Sequence, residues 1–162
     1  MFIYSVRAST VKMVGLILLL AVALAVVVFM GPSGSVSALS TATGVDYSGI
    51  KSGEDRLAFI NGFGIEVDKD SEAEEIFRMP DNFDRVIIGY NELQKRQGLD
   101  LSKYANKRVT RFSYRVTNYD SEGEVYANLF VHRGKIVACD LSSADPSGFV
   151  IPLTMVDRAK LK

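Results

Sequence analysis

Residues 108–141 read RVTRFSYRVTNYDSEGEVYANLFVHRGKIVACDL. Apolar and polar side chains alternate with a period of two, and turn residues break the run in two places. Period-two alternation is the mark of strands with one face buried. Three strands are expected, over 108–118, 124–132 and 135–141, with turns at Asp120-Ser121-Glu122-Gly123 and Arg133-Gly134. Pairing Val116 with Ala127 sets Tyr114 opposite Leu129 and Phe112 opposite Val131. Across the second turn, Val131 meets Ile136 and Leu129 meets Ala138. This register gathers the apolar residues on one face. The other face is mixed and carries Arg111, Ser113, Arg115, Tyr126, Asn128, Phe130, His132 and Cys139.

Upstream, Pro80 and then Asp81 or Asn82 as a cap open a helix that Gly98 ends. Phe83, Val86, Ile87, Tyr90, Leu93 and Gln94 recur at spacings of three and four, which places them on one helical face. That face is expected to pack on the apolar side of the sheet. Leu99 to Ser102 suggests a further helical turn. A shorter helix over 53–61 is capped by Ser52 with Asp55 three residues on, and Gly62 and Gly64 stop it. Its apolar positions are Leu57, Phe59, Ile60 and Phe63. Ile65 with Val67, and Phe77 with Met79, read as two short strands separated by a charged loop over 69–75. The expected fold class is α+β: an N-terminal transmembrane helix, then a small domain of two helices on an antiparallel sheet.

The transmembrane expectation rests on Met13 to Met30, 18 residues without a charge. As a helix they rise about 27 Å, near the lower limit for crossing a bilayer. Arg7 and Lys12 precede the run, and the next charge is Asp46. The positive flank implies residues 1–12 in the cytoplasm and the domain outside. A cleavable signal is the competing reading, with Val36-Ser37-Ala38 as its cleavage signature; the protein is secreted if cut near Ala38. Gly, Ser, Thr and Pro dominate from Gly31 onward, so 31–50 reads as a flexible linker with a reach of about 25 Å. The domain is then 51–151 and the C-terminal tail 152–162.

Charge and composition narrow the function classes. The chain has 162 residues, with 19 basic and 19 acidic side chains. A balanced charge removes the electrostatic basis for general nucleic-acid binding. One Cys and one His exclude an internal disulfide, zinc fingers and multi-His metal centres. Residues 46–92 carry five basic and twelve acidic residues, whereas 93–139 carry nine basic and four acidic. Either the halves neutralise each other across the fold, or the basic half, with Lys103, Lys107, Arg108, Arg111 and Arg115, faces an anionic envelope polymer or lipid surface.

Certain blocks are unusual enough to carry a family resemblance. They are Ser52-Gly53-Glu54-Asp55-Arg56, Phe63-Gly64-Ile65-Glu66-Val67, Tyr90-Asn91-Glu92-Leu93-Gln94-Lys95 and Gln97-Gly98-Leu99-Asp100-Leu101-Ser102. Tyr114-Arg115-Val116-Thr117-Asn118-Tyr119 and Glu124-Val125-Tyr126-Ala127-Asn128-Leu129 complete the set. In this order, over roughly residues 52–150, they resemble a bacterial membrane-anchored family known as domain of unknown function 4830, from spore-forming, low-GC Gram-positive bacteria. The resemblance implies a short N-terminal anchor before the domain and assigns no catalytic residue.

Individual residues give weak chemical signals. Cys139 and His132 are the only candidates for a Cys–His pair, and the register holds them apart. Asp68, Asp70, Glu72, Glu74 and Glu75 lack the Gly and the final acid of a calcium hand; the sixth and twelfth places hold Ala73 and Met79. No metal site and no cofactor is expected. Two function classes remain. One is a non-enzymatic binding or interaction module of the cell envelope, using Arg111, Arg115, Tyr126, Asn128 and His132 to meet an envelope protein, peptide or wall polymer. The other is a small envelope enzyme with Asp100 or Asp140 as acid or base. A cleft with a carboxylate of raised pKa favours the enzyme, and a continuous sheet face favours the module.

Overall fold

A computed structural model describes residues 44–145 and 147–162. The expected spanning helix at 13–30, residues 1–12, the cleavage point near Ala38 and most of the linker lie outside the described residues. Among the described residues, no helix is long and apolar enough to cross a membrane.

Five antiparallel strands form one sheet in chain order: β1 (Val67–Arg78), β2 (Arg108–Val116), β3 (Val125–His132), β4 (Lys135–Ser143) and β5 (Val150–Pro152). Two helices, α1 (Gly53–Asn61) and α2 (Arg85–Lys95), join them. The fold is therefore α+β, as the alternation implies. On β3, burial alternates residue by residue along the whole strand. Phe112, Tyr114, Val125, Ala127, Leu129 and Val131 share the buried face. The β3–β4 turn has Arg133 at φ 49° and Gly134 at φ 74°, two successive left-handed residues that match the twist of a tight hairpin.

Several expectations are corrected. The register of β2 on β3 differs by two: Tyr114 lies opposite Ala127 and Phe112 opposite Leu129. A shift of two leaves every side chain on its face, so apolar pattern alone cannot detect it. On β4, an irregularity between Phe130 and Val131 puts Cys139 opposite Leu129 and Asp140 opposite Asn128. Cys139 thus belongs to the apolar core, not the mixed face, and Asp140 takes its place there.

The acidic segment is not a loop between two short strands. Val67–Arg78 is one strand of 12 residues, irregular between Asp68 and Ala73. Its charges find cross-strand partners. Arg111 pairs with Glu75 at 2.7 Å, Arg115 with Asp68 at 2.6 Å, and Arg56 of α1 with Glu72 at 2.9 Å. Arg111 and Arg115 thus join the basic half to the acidic half, whereas the Arg56 pair lies within the acidic half.

The helices also exchange roles. α1 packs on the apolar face through Ile60, with Leu57 and Phe59 half-buried. Its start is the expected capping box, with Asp55 N–H donating to Ser52 and Asp55 accepting from Ser52 N–H. Arg56 anchors it to the sheet. Its guanidinium lies 3.7 Å from the centre of the Phe112 ring, and Nε donates to the Tyr114 hydroxyl at 2.7 Å. Tyr114 in turn donates to Glu72. α2 lies on the mixed face instead, where Tyr90 meets Phe130 at 5.8 Å. Its cap is Asp84, which accepts from the N–H groups of Val86 and Ile87; Asp81 and Asn82 precede the helix.

Chain on either side of the expected domain is part of the fold. Tyr47 packs against the core and Ile50 is buried in it. Ile136 N–H donates to Tyr47 O, and Ile50 N–H to Gly134 O, so this stretch covers the outer edge of β4 rather than serving as linker. Further along that edge, Cys139 N–H donates to Gln94 Oε1 at 3.0 Å, and Gln97 Nε2 donates to Cys139 O at 2.6 Å. Two glutamine side chains stand in for a neighbouring strand until β5 begins opposite Asp140. The expected tail also folds back. Leu153 is buried, and Leu161 bridges Tyr119.

Candidate functional site

The mixed face of β2, β3 and β4 holds the residues that chemistry singles out. Ser113, Asn128 and Asp140 are register neighbours across the three strands. Ser113 Oγ donates to Asn128 Oδ1 at 2.7 Å. Asn128 Nδ2 donates to Asp140 Oδ1 at 2.8 Å and to Ser142 Oγ at 2.9 Å. The second oxygen of Asp140 accepts from the Tyr90 hydroxyl of α2 at 2.5 Å. Asp140 is only 3% exposed. Burial pushes its carboxyl up to about 6, against the downward pull of Tyr90, Asn128 and the Arg111 charge. The same burial and the neighbouring carboxylate raise the Tyr90 hydroxyl.

Toward the free end of the face, Arg115 and Tyr126 are register partners. Arg115 bonds Asp68, and Tyr126 donates to Glu124 at 2.8 Å. Glu124 lies 3.7 Å from Arg115, which closes a surface chain of alternating charge. The Arg115 side chain stays 48% exposed. The Arg115 guanidinium holds Asp68 below the usual carboxylate range. Ala73 is exposed and Ser113, Asn128 and Ser142 are half-buried, so this part of the sheet is an open polar shelf beside α2.

Four of the five expected contact residues, Arg111, Arg115, Tyr126 and Asn128, lie on this continuous stretch. His132 shares the face but stands apart. Its Nδ1 lies 2.6 Å from Arg108 O and its ring packs 5.6 Å from Tyr104, beyond the aromatic pair Tyr90 and Phe130. Arg111 is partly sheltered and tied to Glu75, with its Nε left without a hydrogen-bond partner.

The other candidates resolve as structure. Cys139 is fully buried, and burial pushes its thiol up, away from the thiolate a nucleophile needs. Asp100 accepts from Ser102 and Asn91, which hold its carboxyl down to about 2; it caps the 3-10 turn Leu101–Tyr104. Among the described residues, no three His, Cys, Asp or Glu side chains are grouped to hold a metal ion. Two shallow depressions, of about 430 Å³ lined by Asn61 and Gly64 to Val67 and about 320 Å³ beside Ile76 to Arg78 and Arg108, lie away from Asp140. Sequence reasoning missed the Tyr90–Asp140 pair because the irregularity in β4 is invisible to a strict period of two.

These features define a small α+β domain with a helix on each sheet face and a partly open polar surface. The chain belongs to the family called domain of unknown function 4830, which it matches over residues 59–141. No curated protein and no solved structure matches it.

Proposed function

We propose that this chain is a single-pass membrane protein whose extracytoplasmic domain is a non-enzymatic binding module of the cell envelope in low-GC Gram-positive bacteria. The observation that carries this reading is the open shelf: Arg115 and Tyr126 side by side on strands, flanked by Ser113, Asn128 and Ser142. An aromatic and an arginine on a rigid sheet give large contact area and directional hydrogen bonds at small ordering cost. The apolar run 13–30 and its basic flank support the anchor and its orientation. A photoreactive amino acid at position 126, activated on intact cells, tests the reading. It should give one saturable crosslinked product that is missing when the probe sits at Lys160. Equal products from both positions would contradict a specific surface.

One observation favours the acid–base alternative: a carboxylate held at about 6, near the range a general acid needs. Against it, Tyr90 and Asn128 donate to both oxygens, and Asp140 is only 3% exposed.

A further inference from the structure

The way α2 is held on the sheet is unusual for an amphipathic helix. Its fully buried residues are the amides Asn91 and Gln94, while Val86 and Ile87 are half-buried and Ile88 is exposed. Its ties are polar: Tyr90 to Asp140, Gln94 to the backbone of Cys139, and Asn91 to Leu101 N–H and Asp100. Beneath it lies apolar surface. Phe130 sits under Tyr90, and Phe77 meets Phe130 edge-on at 6.1 Å. This layer adjoins the polar shelf on the same sheet face.

We propose that α2 is a proton-controlled latch on the contact face: ionisation of Asp140 loosens the helix and bares Phe130 and Phe77 next to Arg111, on the sheet face that also carries Arg115 and Tyr126. The inference rests on the binding-module reading for its purpose, but not for its mechanism. A buried carboxylate is costly when charged unless donors and a countercharge offset desolvation. The groups facing Asp140 are few. α2 supplies the Tyr90 hydroxyl and β3 the Asn128 amide. β2 supplies Arg111, already committed to Glu75 of β1, while the adjacent Cys139 of β4 points to the opposite face. β5 places Pro152 opposite and adds no charge. Burial outweighs these partners, so the carboxyl titrates near 6 rather than 3.8 while α2 is docked. Lifting α2 returns the carboxylate to water and removes that penalty. The helix is therefore held most firmly below about pH 4, and its hold weakens as pH rises through 6.

Hydrogen exchange on the full chain in detergent micelles tests this, with rates corrected for intrinsic pH dependence. Amides of α2 should lose about 25-fold in protection between pH 4.5 and 7, and at pH 7 they should open more readily than those of β3. Asp140→Asn should abolish the loss. Should that variant not fold, Tyr90→Phe removes one donor to the carboxylate and should enlarge the loss and extend it to higher pH. The proposal is overturned if α2 and β3 exchange together at every pH, or if the loss survives in Asp140→Asn or is unchanged in Tyr90→Phe. No partner enters this measurement, so failure to find one leaves the latch untouched, and a rigid α2 leaves the shelf untouched.

Discussion

At Asp140 two requirements compete. The strand period and the β4 irregularity place an acid on a face that α2 then covers, and burial disfavours its charge. The folded state therefore binds a proton more readily than the unfolded chain in the window from about pH 4 to 6. Stability from this group is present below about pH 4 and is lost as pH rises through 6, at a cost of about 3 kcal/mol by neutrality. Denaturant titration should show the domain more stable at pH 4.5 than at pH 7, with Asp140→Asn flattening that slope. A native chain equally stable at both values would remove the buried charge from the account. Asp140 was legible in the sequence as a candidate acid. Its neighbours were not, because they depend on one strand irregularity that no periodic pattern encodes.

At the scale of elements, the meander was the most legible part. Alternation from Arg108 to Leu141 places Phe112, Tyr114, Ala127, Leu129 and Val131 on one face, and the structure keeps them there. Leu129 is fully buried at the centre of that face. Leu129→Ala should cost about 2–5 kcal/mol, read by thermal or denaturant unfolding; a cost under 1 kcal/mol would mean the site collapses or is not core. β1 was misread because five acids between Asp68 and Glu75 resemble a solvated loop. They are strand residues, and Asp68, Glu72 and Glu75 among them meet Arg115, Arg56 and Arg111 from neighbouring elements; such partners are far away in sequence. The exchange of helices has a similar cause. Both carry apolar positions at helical spacing, and only tertiary ties decide: Arg56 with Tyr114 for α1, Tyr90 with Asp140 for α2.

For the whole molecule, the proposed anchor and its orientation rest on the apolar run from Met13 to Met30 and its basic flank, and the packed fold is in place from Tyr47 onward. Protease added to intact protoplasts should remove the domain and leave a short membrane-bound fragment ending near Gly31. Full protection of the domain would reverse the orientation. The sequence made the candidate surface partly legible. Arg111, Arg115, Tyr126 and Asn128 fall on one face by parity alone. That His132 stands apart, and that α2 divides the face, needed the third dimension.

The binding-module account turns on Arg115 and Tyr126, which are exposed or half-buried and whose side chains bond the surface carboxylates Asp68 and Glu124. Exposed ion pairs of this kind add about 0–1 kcal/mol to stability. The most direct measurement is therefore the double variant Arg115→Ala/Tyr126→Ala, compared with the native chain for crosslinked capture from its own membranes and for thermal unfolding. The account predicts loss of capture with a melting temperature nearly unchanged. Undiminished capture from a folded double variant, or unfolding of the domain, would contradict it.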